Sequence, residues 1–350
     1  MDHHTPHPEF YGLPFTTESF HGMPYRLLGR SGFRVPAIGL GTWKMGYPAT
    51  NDGARVDEAT ALAIFDRAIE LGVTFWDTAN RYNSSSGNSE RVIGTWMSQN
   101  PDQRRNVVLA TKMAGMMDGV TPNHCRLSRS NIMESVYASL ERLQTEHLDL
   151  LYFHAFDPFT PVEESLAAVE DLVHEDLVRY FAVSNFTVDQ LKLYQAAERQ
   201  LSCRCRVLAV QNQFDILNAE SQRSAGMLEF AAQSGVSFIA WSPLAKGLLT
   251  DRYLKAELVG AGDRLQDEGE WASLSSDEKL MIKIRQLGAL AHEWGWKLNQ
   301  LALAYQLALP GMGPAIASAS TVEQLESNAI AANITLTTPQ KQAVRSVLES

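Results

Sequence analysis

Eight short apolar runs, rich in β-branched and aromatic residues, recur along the chain, and longer segments of helical periodicity lie between them. Strands that alternate with helices in this way pair in parallel through right-handed crossovers, and eight of them close into a (β/α)8 barrel. We therefore predict an α/β fold of the TIM-barrel type, with a doubly wound open sheet as the alternative. The runs are AIGLGTW (37–43), VTFWDTA (73–79), VVLATK (107–112), LDLLYFH (148–154), RYFAVSN (179–185), VLAVQNQ (207–213), VSFIAWS (236–242) and PAIASAS (314–320).

Helix start signals stand between the runs where a barrel requires them. Asp57 and Ser130 each precede an amphipathic pattern, Pro161 begins another, and Thr187 with Gln190 has the spacing of a capping box. A long helical pattern also extends from about 276 to 309. These signals predict helices after the first, third, fourth and fifth strands, and one long helix before the last strand.

Two segments depart from simple alternation. YRLLGRSGFRV (25–35) reads as a β-hairpin that plugs the bottom of the barrel. The starts of the last two runs, at 236 and 314, are 78 residues apart, and the gap contains a polar, glycine-rich stretch at 258–278. A long loop after a barrel strand lies over the active-site face. We expect a flexible N-terminal extension (1–24), a barrel (25–335) and a C-terminal helical tail (336–350).

Composition restricts the partners and the compartment. The formal net charge of −10 argues against a nucleic-acid or anionic-membrane surface. No cationic start is followed by an apolar stretch, and the strongest apolar run, 301–309, is too short to span a bilayer. Three cysteines are a sparse and odd set, typical of a reducing compartment (Cys125, Cys203, Cys205). We expect a cytoplasmic protein, monomer or homo-oligomer, that acts on a small molecule.

Four polar residues follow successive predicted strands and form a coherent chemical set. Asp77 and Tyr82 come after the second strand, Lys112 ends the third and His154 ends the fourth. Carboxyl ends of barrel strands meet at one mouth, so these side chains should be neighbours. An ammonium beside a phenol favours proton loss, and a carboxylate keeps the ammonium charged. We predict Tyr82 as general acid or base, Lys112 and Asp77 as its tuning pair, and His154 as the group that orients a substrate oxygen.

Other readings of these four residues stay open. Asp77 and Lys112 also suit a structural ion pair, while Tyr82 suits an ordinary loop position and His154 a polar residue with no catalytic part. The sequence has no glycine-rich dinucleotide fingerprint of the open-sheet type, no HExxH spacing and no nucleophile elbow. We therefore expect neither metal nor hydrolase chemistry.

The four residues and several further motifs resemble the aldo-keto reductases. The motifs include LGRSG, GNSERVIG after Tyr82, HLDLLYFHAFDP, VQNQFDIL, WSPLAKGLL and STVEQLESN, and together they cover roughly residues 25 to 332. By having a tryptophan at position 241, the chain resembles the branch of this family that includes potassium-channel β subunits. The resemblance implies a (β/α)8 barrel with an Asp, Tyr, Lys, His tetrad and a nicotinamide cofactor.

The resemblance also implies where the cofactor binds. Ser184, Asn185 and Gln211 match contacts to the nicotinamide carboxamide, although such side chains also cap helices, and Trp241 matches a stacking ring. The further positions are Gly41, Thr42, Trp43 and Asp77, the pyrophosphate loop Ser242, Pro243, Leu244, Ala245, Lys246 and Gly247, and at the adenosine end Ser318, Ser320, Gln324, Ser327 and Asn328. Ser320 is expected to open a helix whose N-terminus favours a phosphate.

Nucleotide preference follows from the resemblance rather than from the residues. No Lys or Arg lies between Ala315 and Asn328, and Ala317-Ser318 replaces the usual Pro-Gly. Arg264 in the long loop is the candidate partner for a 2′-phosphate. We expect NADP(H), with NAD(H) as the alternative.

The substrate pocket should be mainly apolar, with adaptable walls. Residues that follow the first, third and fourth strands would line it: Trp43, Tyr47, Met116 and Phe156. The sequence thus predicts hydride transfer between NADP(H) and an aldehyde, ketone or sugar-like carbonyl and its alcohol. A nucleotide-binding, redox-sensing regulatory subunit with little turnover is the alternative, and His154 favours the enzyme.

Overall fold

A closed ring of eight parallel strands forms the centre of the molecule, as the alternation predicts. In the computed structural model, each strand of the ring pairs with the next in the order β4, β5, β6, β7, β8, β9, β11, β12. The last strand, β12, closes the ring on β4 through Ala315 opposite Ile38. The strands are β1 (Ser19–Phe20), β2 (Met23–Leu27), β3 (Arg34–Pro36), β4 (Ile38–Gly41), β5 (Phe75–Asp77), β6 (Val108–Met113), β7 (Leu148–Phe153), β8 (Val178–Ser184), β9 (Val207–Asp215), β10 (Ala219–Glu220), β11 (Ser237–Trp241) and β12 (Met312–Ser318). The (β/α)8 prediction is confirmed, and the open sheet is wrong.

Helices surround this ring on the outside. They are α1 (Glu58–Glu70), α2 (Asn88–Gln99), α3 (Arg129–Leu143), α4 (Val162–His174), α5 (Val188–Glu198), α6 (Met227–Ser234), the short α7 (Arg264–Asp267) and α8 (Trp271–Ser276), α9 (Glu278–Glu293), α10 (Leu298–Leu307), α11 (Val322–Ile330) and α12 (Thr338–Glu349). The structure describes residue 12 and residues 17–117, 119–201 and 205–350, without the side chain of Ala256. Most of the predicted N-terminal extension, and Cys203, lie outside these ranges.

Helix caps explain where the outer elements begin. Asp57 accepts from the backbone N–H of Thr60, and Thr187 with Gln190 forms the predicted capping box at α5. The cap of α3 is Ser128 rather than Ser130. The helix predicted over 276–309 is two helices, because the chain turns at Gly295, whose φ of 79° is left-handed. No helix among the described residues has both the length and the hydropathy of a membrane span.

The predicted hairpin closes the bottom of the barrel. β2 and β3 are antiparallel, and Leu28 and Val35 are fully buried among side chains that fill the barrel interior. A Cβ on Gly29, where φ is +56°, would lie 2.3 Å from the carbonyl oxygen of Leu208, so only glycine allows this approach. The bottom is therefore filled, and the carboxyl ends of the strands form the accessible mouth.

The segment between β11 and β12 builds a second apolar cluster beside the barrel. Tyr253 packs on Trp271 at 5.1 Å between ring centroids, and both are buried with the inner face of α9. Val344 of α12 is buried in the same cluster, and the Nζ of Lys283 donates to the carbonyl of Leu348 (2.7 Å). The C-terminal helix is thus anchored to the long segment. The division into extension, barrel and tail stays a prediction.

Candidate active site

Three of the four predicted catalytic residues stand at the carboxyl ends of consecutive strands. Asp77 is the last residue of β5, Lys112 is next to last in β6, and His154 directly follows β7. Tyr82 lies in the turn after β5. Because the strands are parallel neighbours, the fold brings these four side chains to one mouth.

The Lys112 ammonium lies at the centre of the group. It pairs with the Asp77 carboxylate and donates to the carbonyl oxygen of Thr78 (2.8 Å) and to the hydroxyl of Tyr82 (2.9 Å). Lysine has three N–H donors, and all three are used. Only 1% of the Lys112 side chain is exposed, and a buried charge is tolerated when it is paired in this way.

Asp77 is held from three directions. Its second carboxylate oxygen accepts from the Nε2 of Gln211 on β9 (2.7 Å), and its backbone carbonyl accepts from the backbone N–H of Thr42 after β4 (3.0 Å). The Thr42 hydroxyl is in turn bonded to Ser89 (2.9 Å). The carboxylate therefore has no freedom to leave the ammonium.

The electrostatics keep Lys112 charged and Tyr82 protonated. Burial lowers the pKa of Lys112, but the Asp77 carboxylate and Tyr82 outweigh it, and the net pKa lies above the ordinary value. Burial raises the pKa of Tyr82, the Lys112 ammonium lowers it and Asp77 raises it, so that the net pKa is also raised. Lys112 acts in the predicted direction, although burial outweighs it.

His154 is the neutral member of the group. Burial first, and then the positive charges of Lys112 and Arg81, lower the pKa of its imidazole to about 3. Its backbone N–H donates to the carbonyl of Met113 (2.9 Å), and its ring lies edge-on to the Tyr82 ring, 6.0 Å between centroids. The phenol and a neutral imidazole thus stand side by side at the mouth.

A left-handed turn carries Tyr82 into this position. Asn83, Ser84 and Ser85 have φ values of 54°, 59° and 59°, which cost non-glycine residues roughly 1–2 kcal/mol each. The Asn83 side chain anchors the turn by donating to the carbonyl of Met45 (2.7 Å). Strained backbone of this kind concentrates at functional sites.

The predicted nicotinamide contacts form one connected set. The Ser184 hydroxyl donates to the carbonyl of Gln211 (2.8 Å), and the Asn185 amide donates to the carbonyl of His154 (2.9 Å) and accepts from the Trp241 indole (3.2 Å). Thr187, not Ser184 or Asn185, caps the next helix, so a capping role does not account for them. The half-buried Trp241 is thus linked through Asn185 to the backbone of His154.

Ion pairs occupy the predicted pyrophosphate side. We call residues 264–270 the strap. Lys246 pairs with Glu270 (2.5 Å) and Glu268 (3.2 Å) of the strap, and Arg264 pairs with Glu268 (2.9 Å). The Arg264 guanidinium also lies over the Trp43 ring at 4.5 Å. Both cations proposed for phosphates are therefore held by strap carboxylates in this structure.

At the predicted adenosine end, Ser320 does not cap the helix. Thr321 accepts from the backbone N–H of Gln324 and is the N-cap of α11, whereas the backbone N–H of Ser320 donates to the side chain of Gln324 (2.8 Å). Gly41 and Ser318 are opposite each other across β4 and β12. Ser327 and Asn328 are buried and bonded to Asn299 (both 2.9 Å). Cofactor contacts at these positions stay predictions.

The residues predicted for the substrate pocket are spread around the mouth. Phe156 lines an open cavity of about 460 Å³ beside His154. Trp43 lies under the strap, the Tyr47 hydroxyl donates to Glu58 of α1 (2.6 Å), and Met116 is exposed. Only Phe156 of the four lines this cavity.

The same cavity contains charged residues that the sequence reasoning missed. Arg81, Arg126 and Asp157 line it, together with Gly115. The one sequence signal for Arg81 is its place directly before Tyr82. No group of three or more metal-binding side chains occurs in the parts of the chain that the structure describes.

A parallel barrel with this tetrad at its mouth defines a class of oxidoreductases, and the sequence comparison agrees: residues 37–349 match the model of the aldo/keto reductase family. The chain belongs to this family. It is 35% identical to the uncharacterized oxidoreductase YrpG of Bacillus subtilis, over 90% of this chain and 92% of that one. It is 29% identical to L-glyceraldehyde 3-phosphate reductase of Escherichia coli (90% and 89%) and 30% identical to a probable voltage-gated potassium channel subunit beta of Oryza sativa (91% and 94%).

Proposed function

We propose that this protein is an NADP(H)-dependent carbonyl reductase in which Tyr82 is the general acid, and the base in the reverse direction. The observation that carries the proposal is the three-way bonding of the Lys112 ammonium to Asp77, Thr78 and Tyr82. It provides a fixed positive charge beside a protonated phenol, and the neighbouring His154 lines a cavity. Similarity to a protein named L-glyceraldehyde 3-phosphate reductase supports a carbonyl substrate.

The residues present fit a nicotinamide. Polar atoms of Ser184, Asn185 and Gln211 lie together beside the half-buried Trp241 ring, which offers an aromatic face next to hydrogen-bonding groups. When bound there, the reduced ring supplies a hydride, with its two electrons, to a carbonyl carbon. The Asn185 amide, held between His154 and Trp241, orients whatever binds against them.

The chain's own residues manage the proton. Tyr82 donates its hydroxyl proton to the carbonyl oxygen as negative charge grows there, and the resulting phenolate is stabilised by Lys112. Asp77 and Gln211 keep the ammonium in place. His154, neutral because its pKa is lowered to about 3, donates or accepts a hydrogen bond at the substrate oxygen without adding charge.

Replacing Tyr82 by phenylalanine tests this assignment. The variant keeps the ring and loses the proton, so we expect kcat for NADPH-dependent reduction of an aromatic aldehyde to fall by about 10³-fold or more, with nucleotide binding retained. Loss of nicotinamide absorbance measures the rate, and quenching of tryptophan fluorescence measures binding. Tyr137→Phe, at a half-exposed tyrosine on α3, is the control. Equal rates in Tyr82→Phe and wild type would refute the role.

The regulatory alternative is supported by the 30% identity to a probable channel β subunit and by the tryptophan at 241. His154 at the cavity wall favours turnover instead. Tight NADPH binding with no reduction across a broad panel of aldehydes and ketones would favour the regulatory function over the reductase.

A further inference from the structure

The cavity beside His154 has a positive character that the tetrad does not explain. Its charged lining is Arg81, Arg126 and Asp157, and His154 is neutral. Two positive charges and one negative charge leave the wall at +1, in a chain whose net charge is −10. A local cationic wall in an acidic protein concentrates anions.

Of the two arginines that line this cavity, Arg81 is the one with no carboxylate partner among the described residues. Its Nε donates to the Ser85 hydroxyl (3.2 Å), and among the described residues no Asp or Glu oxygen lies within 4.0 Å of it. Its charge reaches the tetrad, because it is one of the two cations that oppose protonation of His154. A guanidinium offers five N–H donors in a planar fork suited to carboxylate or phosphate oxygens.

Gly115, after β6, makes room for this guanidinium. A Cβ on Gly115 would lie 2.1 Å from an Nη and 2.7 Å from the Cζ of Arg81, so the guanidinium rests directly on the glycine backbone. The backbone of Gly115 is not left-handed, and the lack of a side chain therefore serves the arginine and not the turn. Gly115 thus allows the Arg81 guanidinium to lie at the cavity wall.

Arg126 supplies a second, partly compensated cation. Its Nη1 is 3.4 Å from Asp157, and its guanidinium lies over the Phe159 ring at 4.0 Å. Asp157 is itself occupied, since it accepts from the backbone N–H groups of Leu127 (3.0 Å) and Phe159 (2.9 Å). Arg126 is half-exposed and keeps N–H groups for an approaching anion.

We propose that this cavity binds an anionic group, a carboxylate or a phosphate, carried by the carbonyl substrate, with Arg81 as the principal contact and Arg126 as the second. The proposal rests on the proposed reductase function and names its substrate class. The anion docks on Arg81 while the carbonyl oxygen of the same molecule reaches Tyr82 and His154.

Matched substrates test the subsite. We compare kcat/KM for 4-carboxybenzaldehyde with kcat/KM for its neutral ester, methyl 4-formylbenzoate. The ratio of acid to ester should exceed one in wild type. It should fall about tenfold or more in Arg81→Gln, mainly because KM for the acid rises. Arg81→Lys should recover part of the ratio. Glyceraldehyde 3-phosphate against glyceraldehyde repeats the measurement for a phosphate and shows which anion is preferred.

Two further variants make the test specific. Gly115→Ala keeps Arg81, but the added methyl group displaces the guanidinium from the Gly115 backbone. This variant should lower the same ratio. Arg30→Gln is the matched control: Arg30 also rests on a glycine, with its Nε 2.1 Å from a Cβ built on Gly235, but it lies at the bottom hairpin. The ratio should not change in Arg30→Gln.

The outcomes separate the subsite from the reductase function. Turnover of the ester with no preference for the acid, or an equal loss on both substrates in Arg81→Gln, refutes the subsite and leaves the reductase. If no substrate is reduced, the reductase proposal fails. The subsite is then judged by calorimetric binding of inorganic phosphate to protein saturated with NADP⁺, and binding that is unchanged in Arg81→Gln refutes it.

Discussion

His154 links the site to the stability of the protein. Its folded pKa is lowered to about 3, whereas an unfolded histidine has a pKa near 6.5. Below pH 6.5 the unfolded chain takes up a proton that the folded protein does not, so this residue costs stability as the pH falls from about 7 towards 3.

Between pH 7.5 and pH 5, the unfolding free energy of wild type should fall by up to about 2 kcal/mol more than that of His154→Gln. This figure follows because one pKa unit corresponds to about 1.36 kcal/mol. Part of the ring faces the cavity, and water there makes this an upper bound. Urea denaturation at the two pH values measures the difference, with His292→Gln on the surface of α9 as the control. Identical pH dependence in wild type and His154→Gln would contradict the lowered pKa.

The strap is the element whose charges determine access to the predicted phosphate side. Lys246 and Arg264 are neutralised by Glu268 and Glu270, so a phosphate entering there must replace carboxylates as their partner. Exposed pairs of this kind are worth about 0–1 kcal/mol each. Part of the binding energy of a nucleotide is then used to break them.

The double variant Glu268→Gln, Glu270→Gln should therefore bind NADPH more tightly, by about 2- to 10-fold. The gain should shrink at high salt, because salt already weakens the pairs in wild type. Fluorescence titration measures the dissociation constant, and Glu293→Gln on α9 serves as the control. Unchanged or weaker binding would show that Lys246 and Arg264 do not meet the nucleotide.

Elements with a local signature were predictable, and contacts between distant segments were not. The eight apolar runs became the eight strands, and the tetrad followed from its place at strand ends. The position of Arg81 depends on Gly115, which lies after a different strand and carries no signal of its own. The pairing of Lys246 with the strap likewise joins segments that only the fold brings together.

Local backbone detail escaped prediction for a different reason. Nothing in Asn83-Ser84-Ser85 requires a left-handed turn, because these residues adopt it only when the surrounding structure compensates the strain. The break of the long helix at Gly295 was equally hidden, since the apolar periodicity continues on both sides of it.

At the scale of the whole molecule, stability depends on the filled bottom of the barrel. Leu28 is fully buried in the barrel interior, while its neighbour Leu27 is 50% exposed. We expect Leu28→Ala to lower the unfolding free energy by about 2–5 kcal/mol through lost burial and a residual cavity, and Leu27→Ala by much less. Guanidinium denaturation measures both variants. Equal losses would show that the hairpin covers the bottom without packing into it.

The closure of β12 on β4 has a consequence for how the chain reaches this structure. Ala315 and Ile38 are paired across 277 residues of sequence, so the ring cannot close before Met312–Ser318 has been synthesised. Until then the first strand keeps an open edge and the mouth does not exist. Contacts so distant in sequence slow folding, and they leave nascent chains exposed to aggregation. The geometry that completes the site thus makes its assembly dependent on the strand that is synthesised last of the eight.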